Sequence, residues 1–182
     1  MWIILLVIIA VVAIWFIGTY NGFIQLRNKV EEAFSTMDVY LVKRYDLIPN
    51  LVETVKGYAK HESETLENVI KARNAAMSAT TPAEKMESDN QLSGVLSRFM
   101  ALAESYPELK ANTNFIDLQN QLQRMEDEIA NSRKYYNGVV KQFNTKCETI
   151  PSNIVANIGG FEKQPLFVVN EDKQRENVKV QF

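Results

Sequence analysis

Residues 115–150 read FIDLQNQLQRMEDEIANSRKYYNGVVKQFNTKCETI. Phe115, Leu118, Leu122, Met125, Ile129, Ser132, Tyr136, Val139, Phe143, Cys147 and Ile150 recur there at steps of three and four. An α-helix turns once in 3.6 residues, so these steps place all of them on one face. The result is a near-heptad seam about 54 Å long at 1.5 Å per residue. It outreaches the shorter helices expected upstream. Either the long first helix runs beside it for its full extent, or part of it meets a second subunit, and we read it as the seam of a homo-oligomer.

The same period runs upstream. Val30, Phe34, Met37, Leu41, Tyr45, Ile48, Val52, Val55 and Ala59 form a stripe that keeps its phase across Pro49. That favours one helix kinked at Pro49, short of one hydrogen bond, with a turn near residues 57–61. The rival reading starts a new helix at Asn50, because Asn50 and Glu53 match the N-cap and N3 positions of a capping box. The following helix puts Leu66, Val69, Ile70, Ala76 and Met77 on its inner face. Thr81-Pro82-Ala83-Glu84 then restarts the chain, with Thr as N-cap, Pro in the first turn and Glu reaching back from N3. Leu92, Val95, Leu96, Phe99, Leu102 and Tyr106 carry the pattern to Pro107, and Gly94 is expected at a close-packing position.

Ahead of this bundle, residues 2–17 read WIILLVIIAVVAIWFI, and no charged side chain occurs before Arg27. All 20 basic and 22 acidic residues therefore fall in the last 156, for a net charge of −2. About 20 apolar residues cross a bilayer core of roughly 30 Å, and Trp2, Trp15 and Tyr20 are anchor residues of such a span. A cleaved signal peptide needs a basic start, a shorter apolar core and a small-x-small site, so a retained anchor is expected. Arg27, Lys29, Lys43 and Arg44 follow the span and none precedes it, which favours a cytoplasmic bundle. The expected organisation is an anchor at 1–23, a bundle at 24–150, and at 151–182 an extended apolar segment followed by a mobile charged tail, NEDKQRENVKVQF. Gly159-Gly160 is no phosphate loop, since no Gly-Lys-Ser/Thr follows.

The fold class is thus all-α: an N-terminal transmembrane helix continuing into an antiparallel up-and-down bundle of about four long helices, with an extended C-terminal segment. Composition excludes several chemistries. One His and one Cys preclude a paired-histidine metal site, an internal disulfide or a cysteine zinc site within one chain, and balanced charge leaves no basic footprint for nucleic acid. No catalytic, cofactor-binding or metal-binding residue is assigned.

The candidate interaction residues are Arg44, Asp46, Asn50, Glu53 and Lys56 around Pro49. They fall largely off the apolar stripe, as an inter-subunit polar network would require. A solvated face with incidental i,i+4 pairs accounts for them equally well. His61 follows a helix end, where capping explains it better than half of a metal or acid–base site. Cys147 lies on the seam, which suits a small buried hydrophobe better than a reactive thiol. Glu126-Asp127-Glu128 point in three directions, with Arg124 and Arg133 near enough to balance them, so a solvated face is expected there.

Residues 44–52 (RYDLIPNLV), followed by Val55-Lys56-Gly57-Tyr58 and His61-Glu62, resemble the signature of the LemA family of bacterial membrane proteins. So do residues 106–112 (YPELKAN), Asn114-Phe115, Leu118-Gln119 and Tyr136-Asn137. The resemblance runs from about Tyr20 to Phe167. It implies an N-terminal transmembrane helix in the inner membrane and an up-and-down bundle of long helices, with no catalytic residue to carry over. The expected function is a single-pass, non-enzymatic scaffold or interaction platform whose partners are the lipid bilayer, further copies of itself and other membrane proteins. The alternative is a tethered sensor or adaptor that binds a small ligand, a cation or a partner protein. A hydrolase using Cys147 or His61 is a distant third.

Overall fold

In this computed structural model residues 1–168 are described. They form α1 (Trp2–Lys56), α2 (Ser63–Ser78), α3 (Pro82–Glu104), α4 (Pro107–Lys110), α5 (Thr113–Glu148) and α6 (Ser152–Gly159), and no strand occurs among them. The fold is all-α. The chain divides into two compact units: Met1–Val39 with Ala130–Leu166, and Tyr40–Ile129 with the described residues from Phe167. α1 and α5 each contribute to both.

α1 passes through Pro49 without a break. Proline has no N–H, so the carbonyl of Tyr45, four residues back, loses its helical donor. Arg73 of α2 replaces it, with Nε donating to the Tyr45 oxygen at 2.8 Å. One helix continues here, not two, because its missing bond is made by a neighbour. The helix stops at Lys56, and residues 57–62 form the expected turn. α3 begins as its sequence dictates: Glu84 N–H donates to Thr81 Oγ1 at 3.2 Å, and the Glu84 carboxylate accepts from Thr81 N–H at 3.0 Å.

In each unit α1 and α5 are antiparallel, because partner numbers run in opposite directions. In the first unit Gly22 and Phe23 meet Lys146 and Phe143, while Phe34 meets Tyr136. In the second Arg44 meets Glu126, and Tyr58, just past the end of α1, meets Asn112, just ahead of α5. The stripe of α1 is buried from Val30 to Val55, apart from a half-buried Phe34, and Ala33, Arg44 and Leu51 join it. On α5, Phe115, Leu122, Ile129, Ser132, Tyr136, Val139 and Phe143 are all buried within this one chain.

That burial corrects the first expectation drawn from the seam. Each unit closes its own stretch, so the seam's length does not call for a second subunit. Ile150 is 83% exposed beyond the end of α5, and Leu118, Met125 and Cys147 are only partly covered. Met77 is exposed on α2, and a Cβ on Gly94 would meet nothing within 4 Å, so that glycine is not a close-packing position.

The segment from 151 is not wholly extended. Residues 152–159 form α6, which ends where Gly160 takes a left-handed φ of 66° that glycine adopts without strain. Only from Phe161 is the chain irregular, and there Gln164 exchanges two 2.9 Å bonds with the Asn144 amide while Tyr136 Oη donates to Pro165 O at 3.0 Å. The charged tail expected at 170–182 lies outside the described residues.

Candidate functional site

The six candidate residues around Pro49 separate by burial. Asp46, Asn50, Glu53 and Lys56 are exposed, Pro49 is half-covered and Arg44 is sealed from solvent. Arg44 is a core residue of the second unit. Its guanidinium forms ion pairs with Asp89 of α3 and, at 2.8 Å, with Glu126 of α5, and it donates to Ser93 Oγ at 3.0 Å. Asp89 is equally buried, whereas Glu126 is about one-third exposed. Three helices thus converge on one cation inside a single chain. This corrects both expectations for Arg44, as an inter-subunit contact or a solvated charge, and the expectation of Glu126 as part of a solvated acidic face.

Burying a charge is costly unless opposite charges and hydrogen bonds surround it. Arginine suits the position because its planar fork of donors addresses several acceptors at once. A periodic signal for this cluster exists in the sequence. Met37, Leu41, Arg44, Ile48, Leu51 and Val55 step by fours and threes, so Arg44 holds a core phase beside the stripe traced through Tyr45. Asp89 does the same in the series Asp89, Leu92, Leu96, Phe99 and Ala103. Opposite charges at core phases of two helices are the mark of a buried pair, and Asp89 escapes a reading that traces apolar positions alone.

Pro49, Glu53 and Lys56 are brought together elsewhere, along a groove of about 500 Å³ between the end of α1 and α2. Val52, Ala59, Leu66 and Ile70 provide its apolar floor. Its rim carries Lys56 paired with Glu53 at 3.4 Å, Lys71 paired with Glu67 at 3.7 Å, and Lys60. Asp46 and Asn50 do not line it. Of the residues that carried the resemblance, Tyr58 and Asn112 are joined by a 2.9 Å bond, and Asn112 Oδ1 accepts the N–H of Phe115 at the start of α5.

His61 is exposed. The Cys147 thiol is pushed above 9.0 by burial and by the Glu148 carboxylate, with Lys163 pulling the other way, so it stays protonated at neutral pH and is a poor nucleophile. Among the described residues no three His, Cys, Asp or Glu side chains gather as a metal set. Trp2 is 81% exposed, and Trp15 and Tyr20 are 38% and 37% exposed. The apolar run that holds the two tryptophans has none of its side chains buried, and α1 is the one helix among the described residues long and apolar enough to cross a membrane.

Comparison with known proteins places this architecture. The chain is 26% identical over 145 residues to the LemA protein of Metamycoplasma hominis, a match covering 78% of this chain and 65% of that protein. It is 24% identical over 193 residues to the magnetosome protein MamQ 2 of Paramagnetospirillum magneticum, covering 90% of this chain and 71% of the relative. It is 22% identical over 174 residues to the magnetosome protein MamQ of Magnetospirillum gryphiswaldense, covering 81% and 64%. The chain thus spans about two thirds of the length of the curated relatives it matches. The family model of LemA matches residues 33–182, from the bundle to the C-terminus, and the chain therefore belongs to the LemA family of membrane-associated proteins.

Proposed function

We propose that this protein is a single-pass, non-catalytic interaction platform of the bacterial inner membrane, assembling with further copies or with other membrane proteins. The observation that carries the reading is the continuity of α1, in which an apolar run with no buried side chain passes into the buried stripe with no loop between them. A bundle joined to its anchor by helix is held close to the bilayer, as a platform must be. Similarity to proteins named for the magnetosome supports a part in assembling a cellular structure over the turnover of a substrate. Because both stretches of the α5 seam are closed within one chain, self-association runs through the span, where packing between helices needs no seam of the bundle. Arg27 and Lys29, just past the span, favour a cytoplasmic bundle.

In-membrane crosslinking followed by native mass measurement of the detergent-solubilised full chain tests this. Oligomers or co-purifying membrane proteins are expected. A strictly monomeric species without a partner would overturn it. The groove beside Pro49 favours a second reading, a tethered adaptor whose apolar floor takes a ligand or partner segment. Saturable thermal stabilisation of the full chain by such a ligand, lost on Leu66→Lys, is the outcome that would favour it.

A further inference from the structure

Outside the first 26 residues, the longest stretch without a charged side chain is 149–161, and it contains α6. The helix has two unlike faces. Val155 and Ala156 are buried in the first unit, whereas Ile154 and Ile158, one turn apart, are 53% and 69% exposed, and Ile150, just ahead of the helix, is 83% exposed. A surface helix ordinarily turns its large apolar residues inward, but this segment turns its three isoleucines out.

One end of α6 is tied to a turn of α1 directly, and the other is tied to it through Lys146 of α5. At its C-terminal end, a Cβ added to Gly159 would stand 2.6 Å from the Phe161 ring and 3.1 Å from Tyr20. Phe161 stacks on Phe23 at 4.7 Å between ring centres and meets Tyr20 edge-on at 5.3 Å. At the N-terminal end Ser152 Oγ donates to the Lys146 carbonyl at 2.7 Å, and the Lys146 ammonium lies 4.8 Å from the centre of the Phe23 ring. The turn they share, residues 20–23, begins three residues after the apolar run ends at Ile17. At 1.5 Å per residue that is about 5 Å, the depth at which aromatic belts and lipid headgroups meet.

We propose that α6 is an interfacial helix, with Ile150, Ile154 and Ile158 inserted at the headgroup–acyl boundary of the same bilayer that holds residues 2–17. Continuity with the anchor argues for a lipid surface over a second copy of the chain. Wherever the span is inserted, the isoleucine stripe stands at the level where that bilayer begins. The uncharged outer face and flanking Lys146 and Arg27 match a segment that lies in the interface plane. The inference rests on the membrane-spanning reading above. It adds a second membrane contact, which fixes the first unit's orientation and not only its tether.

The test uses the full-length chain in vesicles, in a Cys147→Ala background, with an environment-sensitive fluorophore on Ile154→Cys, Ile158→Cys or, as an exposed control on α5, Asn131→Cys. Both isoleucines are exposed, so these substitutions leave the core intact. Lipids brominated near the headgroup end of their chains should quench positions 154 and 158 at least about twofold more than 131, and aqueous iodide should quench them less. Equal behaviour at all three positions would overturn the proposal. Shielding of 154 and 158 from lipid and iodide alike would overturn it too, since protein then covers the stripe. Trp2 and Trp15, the chain's two tryptophans, report on the span in the same sample. If lipids brominated near the headgroup and lipids brominated deep in their chains both fail to quench them, the membrane-spanning reading falls and takes this one with it; if they are quenched while 154 and 158 are not, only α6 has been misread.

Discussion

Phe143 and Arg44 are both sealed from solvent, one in each unit, and their surroundings have little in common. Phe143 meets Phe23 at 6.0 Å and Phe161 at 6.4 Å, both edge-on, and Phe23 and Phe161 stack on each other. Arg44 is surrounded by two carboxylates and a hydroxyl drawn from α3 and α5. Ring contacts are weakly directional, so an aromatic core tolerates small shifts of one helix past another. An ion cluster does not, because a buried charge that loses its partner keeps its desolvation cost. The first unit is therefore held by area, and the second is held in register.

The sharpest way to break that contrast is Arg44→Ala, which strands Asp89 in the core and should cost near the top of the ~3–5 kcal/mol range for splitting a buried pair. Denaturant unfolding of the detergent-solubilised chain measures it. Arg44→Met combined with Asp89→Leu and Glu126→Gln should recover most of the loss. If the triple variant is no more stable than Arg44→Ala, stranded charge is not the cause. Phe143→Ala should cost about 3–5 kcal/mol, in the lower half of that range because Phe23 and Phe161 can close part of the void. A loss below about 1 kcal/mol would show that the ring contributes little to the first unit.

Arg73→Ala should cost about 1–3 kcal/mol, since the Tyr45 carbonyl opposite Pro49 is then left without a donor. In a Pro49→Ala background α1 can supply its own N–H, so the same substitution should cost measurably less. A double-mutant cycle with no coupling would refute the compensation. The smallest effect belongs to Glu84, whose carboxyl is held below its ordinary 4.5, first by the backbone N–H groups of Thr81 and Thr80 and then by their side chains. A lowered folded value means that its contribution is complete above pH 4.5 and fades as pH falls through the folded value. Acid titrations of wild type and Glu84→Gln should therefore converge at low pH and separate above about 4.5. Parallel curves would exclude the capping box as their source.

The start of α3 is legible in four residues because a capping box is local: donor, acceptor and helix start lie within one turn. The continuity of α1 is legible in the phase kept across Pro49, but what makes it possible, Arg73, lies 28 residues away from Tyr45, and its core phase in the series Leu66, Val69, Arg73 and Ala76 does not name the carbonyl it meets. α6 is hidden in the sequence because Gly159-Gly160 has the look of extended chain. One of those glycines ends a helix, and the other admits the close approach of Phe161 and Tyr20. The polar residues around Pro49 form one group along the chain. Their separation into a buried Arg44, a groove-lining trio and exposed Asp46 and Asn50 follows from a one-residue difference in phase.

By itself the sequence determined the helical period, the turn after α1, the start of α3, and a 26-residue opening without charge ahead of 156 residues that carry all of it. These are properties of neighbours along the chain, and 3.6 residues per turn makes them countable. Tertiary structure alone decided which helix faces close on each other, that Arg44 finds Asp89 and Glu126, and that Ile154 and Ile158 of α6, with Ile150 just ahead of it, face outward. Period assigns a residue to a face, but what that face meets depends on how the chain returns in space, and the free energy of a buried charge or an exposed isoleucine is set there.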